Sequence, residues 1–594
     1  MSSDPSSNEP ATPLAFLGDR PAETKPPPAD KRRIWPYLVA VAAIVVLGAA
    51  FAAVYFADDL LDRAPPMVLA NGSRLAVLPF VDATGERGNE WLALGLSEWV
   101  AHAIEETPRT AIVPSDLLVD AILERGLADR AAMRELAFAM GADVAIDITV
   151  SRDDDLWRAD VQAYTPEGQA ASSEVARDDP MATGESLVRL LVNAASPDVL
   201  PPDIEVMYSG NRFLDRLWAM GNAALRAGDA ATAEPYFDIC LRHQPRFLLA
   251  QARLADTVRM LGDYDRAREI ELELLELAQG RNDNYLLGRS AYALGLITAL
   301  EGKWDQADRN FHQAEAIFAS RKDTYSQLRI LEKRVRFAQA RRRPDLAAQA
   351  LDDLLGLQHQ IPHRLGQAET LVERANLALD LDDIDAADTL LTQADDVAQE
   401  IGDPRTLTRV ASGIGEVAWR RGDFATAGER WQSAAAYHRQ HGETRRVASL
   451  LTKLGAVAEA SGDLETAEAH YVDAIDLAED LDDQALAGRL AMRAAQVLIE
   501  RGYPYQARPH LRYALDRDQA IGDPLGLQRL IARFAYEQGH FRTAFETLGA
   551  MSKSEVWTEQ DAIYLAVYEQ ATKVDRRIPL PGEPEVPGGR PITP

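Results

Sequence analysis

The segment GEVAWRRGDFATAGERW, from Gly415 to Trp431, decides the fold of this chain of 594 residues. A small residue, Gly415, stands seven positions before Gly422, and Ala427 stands five positions after it. Because glycine readily adopts the left-handed backbone that ends a helix, Gly422 marks a turn between two helices. We expect Ala427 to pack at closest approach against Gly415, and Trp431 to fill the next groove. The segment therefore predicts a helical hairpin.

The same spacing recurs along the chain at a constant interval, with turns at positions 262, 302, 342, 382, 422, 462 and 502. Arg342 and Asp382 replace the glycine in two of these turns, so we expect their loops to differ. Hairpins that cannot bury an apolar face alone stack on their neighbours, which predicts an α-solenoid of about nine hairpins at residues 211–550. The turn glycines are Gly228, Gly262, Gly302, Gly422, Gly462, Gly502 and Gly539; the alanines five positions later are Ala233, Ala267, Ala307, Ala347, Ala387, Ala427, Ala467, Ala507 and Ala544; aromatic residues nine positions after a turn include Phe237, Phe311, Trp431 and Tyr471.

This order of small residue, glycine turn, alanine and aromatic residue resembles the tetratricopeptide repeat. The resemblance covers residues 211–550, and the period of about 40 positions exceeds the usual value of about 34. It matches the variant with extended helices that is found in bacterial regulators. The resemblance implies a concave groove that binds a segment of a protein partner.

A different pattern precedes the repeats, at residues 73–200. Short apolar runs at 75–81, 111–113, 144–150 and 156–164 predict strands, and helical spacing of apolar residues predicts helices at 91–104 and 131–140. Asp116 stands where an N-cap belongs for a further helix. The order predicts a compact α+β domain, and the fold class is mainly α: a solenoid preceded by this small domain and by one transmembrane helix.

Four segments of the small domain carry a second resemblance, to the TolB-amino-terminal-like domain. They are the opening strand Ala76-Val77-Leu78-Pro79-Phe80, Leu94-Gly95-Leu96 with Glu98, the run Met140-Gly141-Ala142-Asp143, and the closing Val161-Gln162-Ala163-Tyr164 with Gly168. That family is non-enzymatic, and in bacteria it often precedes tetratricopeptide repeats behind a winged-helix, adenylate cyclase or kinase module. The resemblance implies a membrane-bound regulator, although the segment 1–33 is too short for a folded effector.

The segment 34–57 is an uncharged, mostly apolar run, which as a helix would extend about 36 Å. Basic residues precede the run and acidic residues follow it, so the positive-inside rule predicts a single-pass inner-membrane protein with a cytoplasmic N-terminus. The domains beyond the span would then be periplasmic. A cleaved signal peptide is the alternative, disfavoured because the segment 1–33 is too long for the charged start of such a peptide. We expect a disordered tail at 1–33, a linker at 58–72, and a terminal helix with a disordered tail at 551–594.

The net charge of −29 disfavours binding to nucleic acid. A single cysteine, Cys240, excludes an intrachain disulfide and a cysteine-built zinc site. Phosphate-binding glycine loops, metalloprotease HExxH and nucleophile-elbow motifs are missing from the sequence. We therefore expect no enzyme activity, no catalytic residue, no metal and no cofactor.

Basic residues concentrate in one short stretch of the acidic solenoid. This run predicts either a docking patch for an acidic peptide or lipid headgroups, or a solvated helix face. We expect a scaffold that binds protein partners of the cell envelope; the alternative is an envelope sensor that acts through a separate cytoplasmic output protein. The run consists of Lys333, Arg334, Arg336, Arg341, Arg342 and Arg343.

Overall fold

The computed structural model describes residues 67–107, 110–203 and 208–580, which form an α+β domain followed by a helical solenoid. The α+β domain contains β1 Leu75–Val77, β2 Val81–Asp82, a π-helical turn Leu92–Leu96, α1 Ser97–Glu105, α2 Ser115–Arg125, α3 Arg130–Ala139, β3 Val144–Asp153, β4 Leu156–Thr165, β5 Gly168–Arg177 and α4 Pro180–Ala195.

Strand β3 is the centre of the sheet. It pairs in parallel with β1 and β2 on one side and antiparallel with β4 on the other, and β5 pairs with β4 at the edge. Alternate residues of β1 face opposite sides: Leu75 lies in a core with α1 and α4, whereas Ala76 lies in a core with α2 and α3. The β1 side of the sheet is therefore covered by helices on both faces, whereas β5 is mostly exposed.

Three features of this domain differ from the sequence-based expectation. Residues 111–113 contribute only an isolated bridge between Leu75 and Ile112. Helix α2 begins at Ser115 after Pro114, so Asp116 is not its N-cap. Strand β5 was not expected, because its sequence GQAASSEVAR is poor in β-branched and aromatic residues. Pairing with the long strand β4 compensates for that low propensity.

The solenoid consists of nine helical hairpins in the described chain, as the repeat spacing predicts, so the mainly helical solenoid is confirmed. Hairpins one to nine are α5 Arg212–Arg226 with α6 Ala230–His243; α7 Leu248–Met260 with α8 Tyr264–Arg281; α9 Asn284–Leu300 with α10 Trp304–Arg321; α11 Thr324–Ala340 with α12 Pro344–Gln360; α13 Arg364–Asp380 with α14 Ile384–Ile401; α15 Pro404–Arg420 with α16 Phe424–Gln440; α17 Thr444–Ala460 with α18 Leu464–Asp480; α19 Gln484–Glu500 with α20 Pro504–Leu515; and α22 Pro524–Glu537 with α23 Phe541–Gly549. Short α21 Asp518–Ile521 follows α20, and α24 Glu559–Val574 packs on hairpin nine.

The two turns without glycine adopt the same conformation as the others. Arg342 has φ 52° and Asp382 has φ 61°, both in the left-handed region in which Gly422 lies at φ 78°. In each turn the next residue donates its amide to the carbonyl five positions earlier, as Arg343 does to Ala338 at 2.9 Å. The expectation that these loops differ is wrong, because the hydrogen bonds of the helix end fix the backbone despite the side chain.

Inside a hairpin, the small residue seven positions before the turn packs against the aromatic residue nine positions after it. A Cβ added to Gly455 would lie 2.5 Å from the Tyr471 ring, and one added to Gly415 would lie 2.6 Å from Trp431. The aromatic side chain therefore fills the space left by the small residue of its own hairpin. The expectation that Ala427 meets Gly415 and that Trp431 fills the next groove is corrected accordingly.

The predicted fold class and localisation need a further correction. Across residues 67–580, apart from the two short gaps, no helix is long and apolar enough to cross a membrane. The longest described helices have 18 residues, as in α8 and α14, and carry charged side chains along their length. The prediction of a transmembrane helix in a single-pass inner-membrane protein is therefore wrong on this finding. The segments 1–33, 34–57 and 58–66, and the tail at 581–594, lie outside the described residues.

Candidate functional site

The first helices of the hairpins form the inner surface of the solenoid, and the α+β domain lies against hairpins one to six. Its apolar contact with hairpin one is close: a Cβ added to Gly95 would lie 2.2 Å from the Ala219 carbonyl oxygen. Farther along, the Tyr325 hydroxyl of α11 donates to the Met140 carbonyl at 2.9 Å. Two of the segments that resemble the TolB-amino-terminal-like domain thus form contacts with the repeats.

Buried ion pairs reinforce this contact at Glu98 of α1. Its carboxylate accepts from Arg226 Nε at 3.0 Å and from Arg253 Nη2 at 2.5 Å, and the residue is only 4% exposed. Burial alone would raise the pKa of Glu98, but the guanidiniums of Arg226 and Arg253 outweigh burial and lower it. Glu98 is therefore a charged carboxylate held between hairpins one and two.

Helix α2 makes similar pairs with later hairpins. Asp116 accepts from Arg329 of α11 at 2.7 Å, and the Arg125 side chain lies 3.0 Å from Glu369 and 3.4 Å from Asp403. The side chain of Arg405, in hairpin six, donates to a backbone carbonyl of α2. The α+β domain thus occupies the inner surface as far as the start of hairpin six. We call hairpins one to five the covered hairpins and hairpins six to nine the open hairpins.

A cavity of about 810 Å³ remains between the α+β domain and the covered hairpins. We call it the interdomain cavity. Its wall mixes charged side chains of both signs with aromatic rings, such as Trp218 and Tyr285, which lie 6.1 Å and 5.7 Å from the His102 ring. The cavity is therefore polar and enclosed by two parts of the same chain.

A second concavity, about 500 Å³ in volume, lies on hairpins five to seven. We call it the open groove, since every residue that lines it belongs to the solenoid. Lys453 Nζ donates to Glu416 at 2.7 Å and lies 4.8 Å from the centre of the Trp431 ring. The lining residues that carry charge are Asp380, Arg409, Glu416, Arg420, Arg446 and Lys453.

The six basic residues singled out from the sequence do not form one patch. Arg334, Arg341 and Arg343 pair with the carboxylates of Glu315, Asp308 and Asp345, respectively. Arg342 occupies the turn after α11. Lys333 and Arg336 instead line the interdomain cavity. The structure thus divides the basic run between a paired helix surface, a turn and the inner surface.

Chemistry at single residues is limited in the described chain. Cys240 is buried, and burial raises the pKa of its thiol to about 12, which disfavours the thiolate form. Among the residues described, no group of three or more histidine, cysteine, aspartate or glutamate side chains is placed to hold a metal ion. The arrangement of the inner surface is suited to binding by hydrogen bonds and ion pairs.

Comparison with known protein families gives a match to hairpins six and seven. The tetratricopeptide repeat model matches residues 406–480, which cover these two hairpins. Hairpins six and seven are therefore similar to tetratricopeptide repeats. The match confirms, in this part of the chain, the family predicted from the regular spacing.

Distant structural likenesses extend beyond these two repeats. A signal transduction ATPase with a tetratricopeptide repeat sensor from Pyrococcus horikoshii is 14% identical, with TM-score 0.44 over 58% of this chain and 56% of that one. The apo form of RapI is 12% identical, with TM-score 0.45 over 62% and 100% of the two chains. Aspartyl phosphate phosphatase F from Bacillus subtilis is 14% identical, with TM-score 0.38 over 62% and 96%. This chain thus spans just over half of the ATPase. No curated protein matches the sequence.

Sequence reasoning missed the charged residues of the inner surface, although a signal was present. Arg289, Arg329 and Arg409 are separated by one or more whole repeat intervals, and Glu369 stands at the same repeat position. All four residues lie on the inner surface, where they line one or the other concavity. Applying the repeat interval to charged residues, as well as to small ones, would have identified this inner column.

Proposed function

We propose that this protein is a non-catalytic scaffold that binds a segment of a partner protein in the open groove. One observation supports this proposal. The contacts of the α+β domain with the repeats end at Arg405, and the inner surface beyond that residue is not covered by the domain. The covered hairpins hold acidic residues of the α+β domain on arginines, so the same kind of surface is suited to a protein segment from outside. The four basic residues of the open groove each pair with a carboxylate of the solenoid, so the groove offers charges of both signs to a partner segment; they are Arg409, Arg420, Arg446 and Lys453.

A regulatory role is the second candidate. The finer resemblance to the TolB-amino-terminal-like domain and to bacterial regulators belongs to this candidate. It is favoured by the contacts of Gly95 and Met140 with the repeats, which join the α+β domain to the surface on which a partner would bind. Binding in one part would then affect the other through shared contacts.

Site-specific photocrosslinking tests the scaffold proposal. A photoreactive amino acid at Ser449, exposed in the open groove, should crosslink a discrete protein partner in cells that express the full chain. The matched control is Asp473, exposed on the second helix of the same hairpin, which should give no such product. Equal products from both positions, or none from Ser449, would contradict the proposal.

A further inference from the structure

Four cations gather on one wall of the interdomain cavity. Arg259 lies on α7, and Arg329, Lys333 and Arg336 lie on successive turns of α11. Arg329 pairs with Asp116 at 2.7 Å, and Arg259 lies 3.7 Å from Asp256. Lys333 and Arg336 have no ion pair and no hydrogen bond with any side chain of the described chain. The wall thus carries two cations without an ion pair next to two that have one.

These charges act on one another. Burial lowers the pKa of the Lys333 ammonium, and the neighbouring Arg336, Arg329 and Arg259 lower it further, while Glu332 opposes them. Three carboxylates also line this end of the cavity, Glu332, Glu369 and Glu373, and Glu369 pairs with Arg125 and Arg409. Glu373 lies 3.7 Å from Arg409, and Glu332 has no cation within 4 Å in the described residues. Clustering like charges is unfavourable unless an anion lies among them.

The pattern of unpaired hydrogen-bonding atoms points in the same direction. Five buried side-chain nitrogens of the cavity wall have no hydrogen-bond partner within the described chain, and four of them, all except His102 Nε2, are donors whatever their protonation; Gln358 Oε1 is the one buried side-chain oxygen of the wall there that lacks a partner. Because buried donors are nearly always paired, the wall needs an occupant that supplies acceptor atoms. The nitrogens are His102 Nε2, Trp218 Nε1, Asn222 Nδ2, Arg259 Nε and Arg329 Nε.

We propose that the interdomain cavity binds a small oxyanion, a molecule that bears carboxylate or phosphate groups. Lys333 and Arg336 are its charged contacts, and the unpaired nitrogens of the wall donate to its other oxygens. The volume of about 810 Å³ lies within the usual range of small-molecule sites. Since the α+β domain forms one side of the cavity, the bound oxyanion strengthens the contact between that domain and the covered hairpins. The site is separate from the open groove.

Calorimetric titration of the full chain with citrate and with inorganic phosphate, at ionic strength matched with chloride, tests this proposal. We expect citrate, phosphate or both to bind, which identifies the carboxylate or the phosphate as the preferred group. The variant Lys333→Met/Arg336→Met should bind at least about 10-fold more weakly, since a hydrogen bond to a charged group contributes about 1.5–3 kcal/mol.

Arg334→Met is the matched control, because Arg334 lies between the two residues in sequence but pairs with Glu315 outside the cavity wall. It should retain binding within about 2-fold. The double variant should also unfold at the same temperature as the unliganded parent or higher, because the change removes repulsion, so a folding defect would be recognised. Binding of neither probe, undiminished binding by the double variant, or equal loss in Arg334→Met would overturn the proposal.

Discussion

The covered and the open hairpins share one spacing but differ in what lies on their inner surface. In the covered hairpins, Arg289 is surrounded by Asp256 at 2.6 Å and Glu271 at 2.8 Å, within the contact region of the α+β domain. Arg409 and Ser449 occupy the same repeat position as Arg329, two and three repeat intervals later, and they line the open groove. Turns and aromatic residues therefore build the hairpins in both regions, whereas the charged and polar residues of the inner surface differ from one hairpin to the next.

The largest expected effect comes from Glu98→Gln in the covered region. The change leaves Arg226 and Arg253 buried without their carboxylate, and breaking a buried pair in this way costs about 3–5 kcal/mol. Hydrogen exchange of α1 and α5 amides should show the loss as weaker protection. Because the pKa of Glu98 is lowered, its contribution is present at neutral pH and is lost as the pH falls through that pKa. The variant should lack this acid-dependent step.

Glu416→Gln in the open groove is the matched control for Glu98→Gln. The partners of Glu416 are more exposed, with Lys453 40% exposed, so the loss should stay below about 1 kcal/mol. If both variants lost the same stability, the α+β domain would not be held more tightly than a surface pair, and the distinction between covered and open hairpins would fail.

The second prediction sharpens what the two regions share. Gly295→Ala in hairpin three and Gly455→Ala in hairpin seven each force a Cβ to within 2.6 Å of an aromatic ring. Such overpacking costs about 1–3 kcal/mol, and we expect similar losses in both regions by thermal unfolding. Gly428→Ala is the control, since its Cβ would lie 3.5 Å from Val457, and it should be neutral or stabilising. A tolerated Gly455→Ala would contradict the hairpin packing described above.

The third prediction concerns pH and belongs to the covered region. Burial raises the pKa of Glu332 to about 7, above its ordinary value, so its carboxylate destabilises the fold as the pH rises. The penalty grows as the pH rises from the ordinary carboxyl pKa and is complete above about 7, so Glu332→Gln should raise stability by about 1–3 kcal/mol at pH 8 and have no effect near pH 4. The equivalent residues Val372 and Ser412 carry no charge. Denaturation midpoints at both pH values provide the test, and an equal gain at pH 4 would contradict it.

The smallest expected effect lies in the turns. Arg342→Gly replaces a side chain at φ 52° and should stabilise the protein by about 0.5 kcal/mol, because the left-handed backbone disfavours residues with a Cβ. Gly462→Ala in an open hairpin, at φ 80°, should destabilise it by about 1 kcal/mol. Melting temperatures of the two variants should move in opposite directions. A shift of the same sign would show that side-chain contacts, and not the backbone, determine these turns.

The repeat fold could be predicted from the sequence because its determinants are local. Gly415, Gly422 and Trp431 lie within one hairpin, so their spacing is preserved wherever the hairpin stands. The inner column was also present at the repeat interval, through Arg289, Arg329 and Arg409. Lys333 and Arg334 were assigned to one patch because they are adjacent in sequence. A helix directs adjacent side chains to different sides, so Lys333 lines the interdomain cavity whereas Arg334 pairs with Glu315.

The remaining features depend on contacts between distant parts of the chain. The pairing of Glu98 with Arg253 and of Asp116 with Arg329 joins segments far apart in sequence, and no periodicity links them. Strand β5 is formed by its pairing with β4, not by its own composition. The membrane prediction used the hydropathy and the flanking charges of one segment, and it assigned the whole protein to a membrane class that no described helix supports.

The attachment of α2 to several hairpins also has a mechanical consequence. A stack of repeats is elastic, since each repeat touches only its neighbours and small rotations add up along the axis. Arg125 bridges Glu369 and Asp403 of consecutive hairpins and so fixes the rotation between them. The covered hairpins are therefore held at a fixed rotation relative to one another, while the open hairpins remain free to rotate slightly about the solenoid axis. Under tension the open hairpins should therefore extend before the covered hairpins do.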